Sequence, residues 1–304
     1  MALRTKAIKQ KISSVRNIRK ITKAMEMVAV SKMKRAVGSV LATRGYALAS
    51  VDLLVALALE RKISHPLLEK GQGSRTLIVV IASNRGLCGG FNVSLAKAVS
   101  RSFEAGGGKG AVDLITIGKN AERLARKLGA DVRGSFIEFS PTAGIHGIRG
   151  LRRLILDEFT GGRYEQVFVA YNNYVSTVRY ESVVQPILPV TPQIVQNLAA
   201  SVREAMSPVQ SRSAFYESAY LFEPTETAVL EEVLPQLVAT QLYQMNLESV
   251  ASEQSARMVA MKNASDSAGE MISDLTLDWN HARQDGITQE ISEIAAGANA
   301  LAAQ

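Results

Sequence analysis

From about Leu237 to Leu301 nothing in the sequence stops a helix, so this stretch reads as one rod of about 65 residues. It has no Pro and no adjacent Gly pair. Its single glycines, Gly269, Gly286 and Gly297, each cost a helix only about 1 kcal/mol. Met261, Ala264, Ala268, Met271 and Leu275 step by 3, 4, 3 and 4, the narrow seam of a coiled coil. At 1.5 Å per residue the rod is about 95 Å long, too long to bury that seam without a partner.

The other end of the chain supplies one. From Leu3 to about Arg61 only Gly38 and Gly45 weaken a helix, and Ser64-His65-Pro66 ends it. Ile8, Ile12, Val15, Ile18, Ile21, Met25 and Val28 form its apolar side, resumed by Leu41, Leu48, Val51, Val55 and Ala58. Two seam-bearing helices at the ends of one chain fold back most simply as an antiparallel coiled coil. Homodimerisation through either helix is the alternative.

The middle changes period. Thr76 to Ala82 (TLIVVIA) suits a buried parallel strand. Then come a Gly-rich turn, a helix from about Val93 to Glu104, strand Val112–Ile117 and helix Lys119–Leu128. Strand Val132–Phe139, helix Ile148–Phe159 and strand Gln166–Tyr171 complete the alternation. This is a βαβ pattern, hence a Rossmann-like, mostly parallel sheet of about five strands. Ser176 to Val184 follows too closely for a crossover and is expected to be an antiparallel edge strand, with Pro186, Pro189 and Pro192 ending the sheet. The expected organisation is a helix over 1–65, an α/β domain over 75–192, a connector over 193–234 and the second helix over 235–304. In the connector, a helix is expected across Ala199 to Met206, and Thr225 caps a short helix ending near Leu234, ahead of Pro235.

The net charge of +7 is concentrated at one end: residues 1–35 carry eleven Lys/Arg against the single acid Glu26, so this segment is +10 and the remainder −3. Such a helix suits nucleic acid, an anionic surface or an acidic protein socket. However, Ile8, Ile12, Val15 and Ile18 run through the basic stretch itself, which makes its charges the outside of a coiled coil; a coiled-coil nucleic-acid-binding protein is the alternative function.

Catalytic signals fail their tests. Ser83 to Asn92 lies between strand and helix, where phosphate loops sit, but Phe91-Asn92 stands where a P-loop has Lys-Ser/Thr, and the glycines do not spell G-x-G-x-x-G. A structural turn built on Gly86, Cys88, Gly89 and Gly90 is expected instead. Cys88 is the only cysteine, and His65, His146 and His281 are scattered, so neither a disulfide nor a zinc site is expected. No cofactor is expected. No stretch of about 18 apolar residues is present, and no direct membrane insertion is expected.

Three groups of residues carry a family likeness. The first is Lys20-Ile21-Thr22-Lys23-Ala24-Met25-Glu26-Met27-Val28-Ala29 with Ser31-Lys32-Met33. The second is Arg85-Gly86-Leu87-Cys88-Gly89-Gly90-Phe91-Asn92. The third comprises Ala251-Ser252-Glu253-Gln254-Ser255-Ala256-Arg257-Met258, Leu275-Thr276-Leu277, Ala282-Arg283-Gln284 and Ile287-Thr288-Gln289-Glu290-Ile291. Together they resemble the gamma-subunit family of F-type ATP synthases. Asn84, Trp279 and His281 depart from that pattern, which usually has Asp, Tyr, and Arg or Lys. The cysteine-bearing insertion of the chloroplast type is missing, and a bacterial type is expected.

The resemblance implies a non-catalytic rotor shaft. It would turn within a ring of alpha and beta subunits, beside an epsilon subunit, driven by a proton-powered c-ring at the cytoplasmic face of the membrane, with no nucleic-acid partner. It implies ring or torque contacts for Lys23, Met25, Arg257, Gln284, Thr288 and Glu293, and contacts of a foot with the membrane ring for Tyr220 and Glu223. Because the first rod is shorter, Ile287, Ile291, Ile294 and the Ala-rich tail are expected to overhang it.

Overall fold

The computed structural model describes residues 2–60, 65–137, 139, 141–191, 223 and 225–302. They divide into two compact units, one formed by Met1–Val30 with Arg257–Gln304 and the other by Ser31–Ala256. The two end helices, α1 (Ala2–Glu60) and α5 (Glu226–Ala302), each contribute to both units.

The second unit is built on a sheet of β1 (Arg75–Ile81), β2 (Val112–Ile117), β3 (Asp131–Phe136), β4 (Tyr164–Ser176) and β5 (Arg179–Leu188). The order is β3-β2-β1-β4-β5. The first four strands are parallel, and β5 pairs antiparallel with β4. Alternate residues of β1 enter opposite cores, as the two-residue period of a strand requires. Ile78 and Val80 meet Leu95, Val99 and Phe103 of α2 (Phe91–Ala105) and Ala121 and Ala125 of α3 (Lys119–Leu128). Leu77, Val79 and Ile81 meet Leu151, Ile155 and Phe159 of α4 (Arg149–Thr160) and Leu234, Leu237, Val238 and Leu242 of α5. The result is three layers with α5 lying against the sheet.

A polar knot ties the amino ends of four strands, β1 to β4. The Arg75 guanidinium pairs with the buried Asp113 carboxylate and lies 3.5 Å from Asp131. The Tyr164 hydroxyl donates to Asp113 Oδ2 at 2.6 Å.

Several expectations are corrected. The edge strand runs on to Leu188 and places Pro186 opposite Phe168, since an edge tolerates a residue without an N–H. Strand β3 stops at Phe136, and an unanticipated 3₁₀ segment, Pro141–Ile148, precedes α4. Helix α5 begins well before residue 235 and passes through Pro235, although Thr225 does cap it, accepting from the Ala228 N–H at 3.2 Å. A helical proline costs about 3 kcal/mol. Here Leu230, Leu234, Leu237 and Leu242 are all buried, each contributing about 1.5–3 kcal/mol, so packing outweighs the missing bond. The expected helix over Ala199 to Met206 lies outside the described residues.

In the first unit the helices are antiparallel: Thr5, Lys6 and Lys9 share a groove with Trp279, Ala282 and Ile287, while Arg19 lies against Gly269. The seam is rotated from the expected one. Ser265 and Ala282 are buried while Met271 is 53% exposed, and Met261, Ser265, Ala268, Ile272, Leu275, Trp279 and Ala282 form a continuous 4-3-4-3-4-3 stripe, all buried or half-buried. On α1, Ile12, Thr22 and Ala29 are buried, whereas Ile18, Ile21 and Val28 are more than half exposed. Small seam residues let the backbones approach. The Arg19 guanidinium covers Gly269, where an added Cβ would meet its Cζ at 3.4 Å.

Candidate functional site

Among the described residues, the expected site residues on the rods are spread along the paired helices. Lys23 is exposed and ion-paired to Glu26 at 3.0 Å, and Met25 beside it is half-buried. Arg257 is buried. Gln284, Thr288 and Glu293 are exposed; the Glu293 carboxylate accepts from Gln289 at 2.9 Å. Arg257 and Glu293 are about 54 Å apart along the helix axis. His281 is exposed, and Trp279 is half-buried with the Arg283 guanidinium 5.3 Å from its ring. Of the two foot residues, Glu223 is exposed and Tyr220 lies outside the described residues.

Between and beyond these positions the rod presents apolar side chains to its surroundings. Ile18, Ile21, Met27 and Val28 on α1 are exposed, as are Leu277, Ile287, Ile291 and Ile294 on α5. The groove between the helices has a volume of 370 Å³. Three cations, Lys6, Lys9 and Arg283, line it against one acid, Glu290.

The turn after β1 is knit by its own side chains. Ser83 is fully buried. Its hydroxyl donates to the Arg85 carbonyl at 2.8 Å, and its N–H donates to Asn92 Oδ1 at 3.2 Å. Asn92 Nδ2 lies 2.8 Å from Ser83 Oγ and 3.3 Å from Cys88 Sγ, which is buried. Asn120 Nδ2 reaches the Ser83 carbonyl at 2.7 Å. Asn84 Oδ1 accepts from the Lys119 N–H at 3.1 Å, at the start of α3. Leu87 and Gly89 carry φ of 61° and 56°. Gly86 is exposed with open space around it, while a Cβ on Gly90 would meet the Tyr180 hydroxyl at 3.6 Å. The side chains of Ser83, Asn92 and Asn120 are thus engaged with one another and with the main chain of the turn.

Among the described residues there is no group of three His, Cys, Asp or Glu able to hold a metal, and no helix is long and apolar enough to cross a membrane.

The family model described as ATP synthase matches residues 4–301. The chain belongs to the ATP synthase gamma-chain family. It is 36% identical to the ATP synthase gamma chain of Cupriavidus pinatubonensis over 98% of this chain and 99% of that one. It is 38% identical to that of Dehalococcoides mccartyi over 97% and 98%. The fold is similar to a chain of the OSCP/F1/c-ring structure of Euglena gracilis mitochondrial ATP synthase, with a TM-score of 0.66 at 17% identity, covering 99% of this chain and 95% of that chain. It is also similar to the central stalk of the Tetrahymena thermophila enzyme, with a TM-score of 0.59 at 24% identity, covering 81% and 99%.

One group of residues escaped the sequence reading. Asn172 is fully buried in β4; its Nδ2 donates to the Phe91 carbonyl at 3.2 Å and its Oδ1 accepts from Ser182. Ser252 of α5 donates to its carbonyl at 3.0 Å. The only signal was that Ser252 and Ser255 stand inside a family motif. The expected signs of function were charge and periodicity, and a serine bonding to a distant strand carries neither.

Proposed function

We propose that this chain is the central rotor shaft of an F-type ATP synthase, turning inside a ring of alternating alpha and beta subunits and carrying torque between that ring and a proton-driven membrane c-ring. Catalysis belongs to the beta subunits. Family membership over residues 4–301 carries this reading, and the rod agrees with it physically: it is stiffened by a continuous seam and leaves Ile18, Ile21, Ile287, Ile291 and Ile294 uncovered for surrounding subunits.

In this reading Lys23, Met25, Arg257, Gln284, Thr288 and Glu293 meet or couple to the catalytic ring, and Tyr220 and Glu223 meet the membrane ring, with an epsilon subunit bound alongside. Gly86, Cys88, Gly89 and Gly90 shape the turn that ties β1 to α2 and α3. The complex lies at the cytoplasmic face of the membrane, and the exposed cations of α1 face acidic protein surfaces of the ring. The test is affinity purification of the tagged subunit from membranes. Recovery of alpha, beta and epsilon subunits, with ATP-driven proton pumping by the purified complex, is expected; recovery of nucleic acid alone overturns the reading.

A further inference from the structure

Two groups of hydroxyls on the long helices contrast with each other. Ser39, Thr240, Ser273, Thr276 and Ser292 donate to the carbonyl four residues earlier in their own helix, the usual behaviour of a hydroxyl in mid-helix. Ser249, Ser252 and Ser255 donate instead outside the helix, reaching the main-chain carbonyls of Ile81 at the end of β1 at 3.4 Å, of Asn172 in β4 at 3.0 Å and of Thr177 in the turn between β4 and β5. All three are buried, and a buried hydroxyl without a partner would be destabilising.

Strand β4, which Ser252 meets, has lost a neighbour at this point. Pairing of β1 with β4 ends at Val80 and Ala170, yet β4 runs on to Ser176 with β5 on its other side. Beyond Ala170 the β1-side edge of β4 therefore has no strand beside it, and Ser252 takes up the Asn172 carbonyl there, with Ser249 on the end of β1 before it and Ser255 on the turn from β4 to β5 beyond it. Asn172, which receives Ser252, also holds the first residue of α2 and Ser182 of β5. The contact thus reaches α2, β4 and β5 through one residue.

We propose that Ser249, Ser252 and Ser255 are positioning residues for torque transfer, a spline that fixes the rotation of α5 about its own axis relative to the sheet. The apolar packing of α5 on the sheet is non-directional and permits small rotation or sliding, whereas directed hydrogen bonds to fixed carbonyls weaken steeply as they are turned away from alignment. Torque entering the α/β unit passes through these bonds into α5 and so into the paired-helix unit, of which α5 is a continuous part.

This inference rests on the rotor reading. The complete membrane complex carrying Ser249→Ala, Ser252→Ala and Ser255→Ala together is compared with wild type and with Ser273→Ala, which removes a hydroxyl bonded only within its helix. The readouts are subunit content, ATP hydrolysis rate, protons pumped per ATP, and rotor stiffness from the angular fluctuation of a bead attached to the α/β unit. The expected result is normal content and hydrolysis with lower stiffness and fewer protons per ATP in the triple variant alone. Unchanged stiffness and pumping overturn the inference, and so does low content with normal pumping by those complexes that form, which marks a merely structural role. If the triple variant does not assemble, Ser252→Ala is judged by the same two readouts. A wild-type complex that does not couple pumping to ATP would instead overturn the rotor reading itself.

Discussion

Tyr164 shows how one side chain sets a pH limit on the α/β unit. Burial pushes its phenol well up from the usual range, and the hydrogen bond to Asp113 and the nearby Asp113 and Glu158 carboxylates push it further. The folded chain therefore keeps a proton that the unfolded chain releases above about pH 10. Its contribution is fully present below that value and is lost as pH rises further. Tyr164→Phe removes both the titration and a donor to a buried carboxylate. We expect it to lower unfolding free energy near neutral pH by about 1.5–3 kcal/mol and to shallow the alkaline decline; urea unfolding of both proteins at neutral pH and at about pH 11 checks this. Tyr171 and Tyr243 are also raised by burial, so some alkaline sensitivity remains. A parallel decline in the two proteins would mean that Tyr164 is not its source.

At the scale of elements, the helices and strands were largely legible because long uninterrupted periods and the apolar run TLIVVIA constrain them. Which side of each helix faces its partner was not. The reading followed the largest apolar residues, Ile18, Ile21, Val28 and Met271, but the close helix pair selects small ones, Thr22, Ala29, Ser265 and Ala282. Size at the contact outranks hydrophobicity where backbones must approach. The distinction is measurable: Ile12 is 7% exposed and Ile18 53% exposed. Ile12→Ala is expected to destabilise the isolated chain by about 2–5 kcal/mol, and Ile18→Ala by no more than about 0.5 kcal/mol. Equal losses in a denaturant series would show that the seam is placed wrongly. The turn after β1 is expected to be packing from its missing Lys-Ser/Thr pair. Its internal bonds were not legible, because Ser83, Asn92 and Asn120 meet only after β1, α2 and α3 are assembled.

For the whole molecule, the pairing of Arg19 with Gly269, extended residue for residue, brings the start of α1 level with about Gly286. Past the groove that Ile287 and Glu290 share with Thr5, Lys6 and Lys9, α5 runs on to Ala302 beyond the start of α1, and Ile294 is 73% exposed. A single helix of that length is marginal in water. In the isolated chain, amide exchange over residues 288–302 is expected to be fast; in the assembled complex it is expected to slow as surrounding subunits cover the overhang. Equal exchange in both states would remove this segment from the interface. The docked serines also bear on the α/β unit, whose turn after β1 lacks a phosphate-loop motif. In sheets of this order ligands settle outside the carboxyl ends of the strands, where the strand order reverses, here between β1 and β4. Ser249 already holds the last carbonyl of β1 there. Helix α5 is in effect a ligand tethered to its own receptor, present at an effective concentration that a freely diffusing nucleotide would have to outcompete.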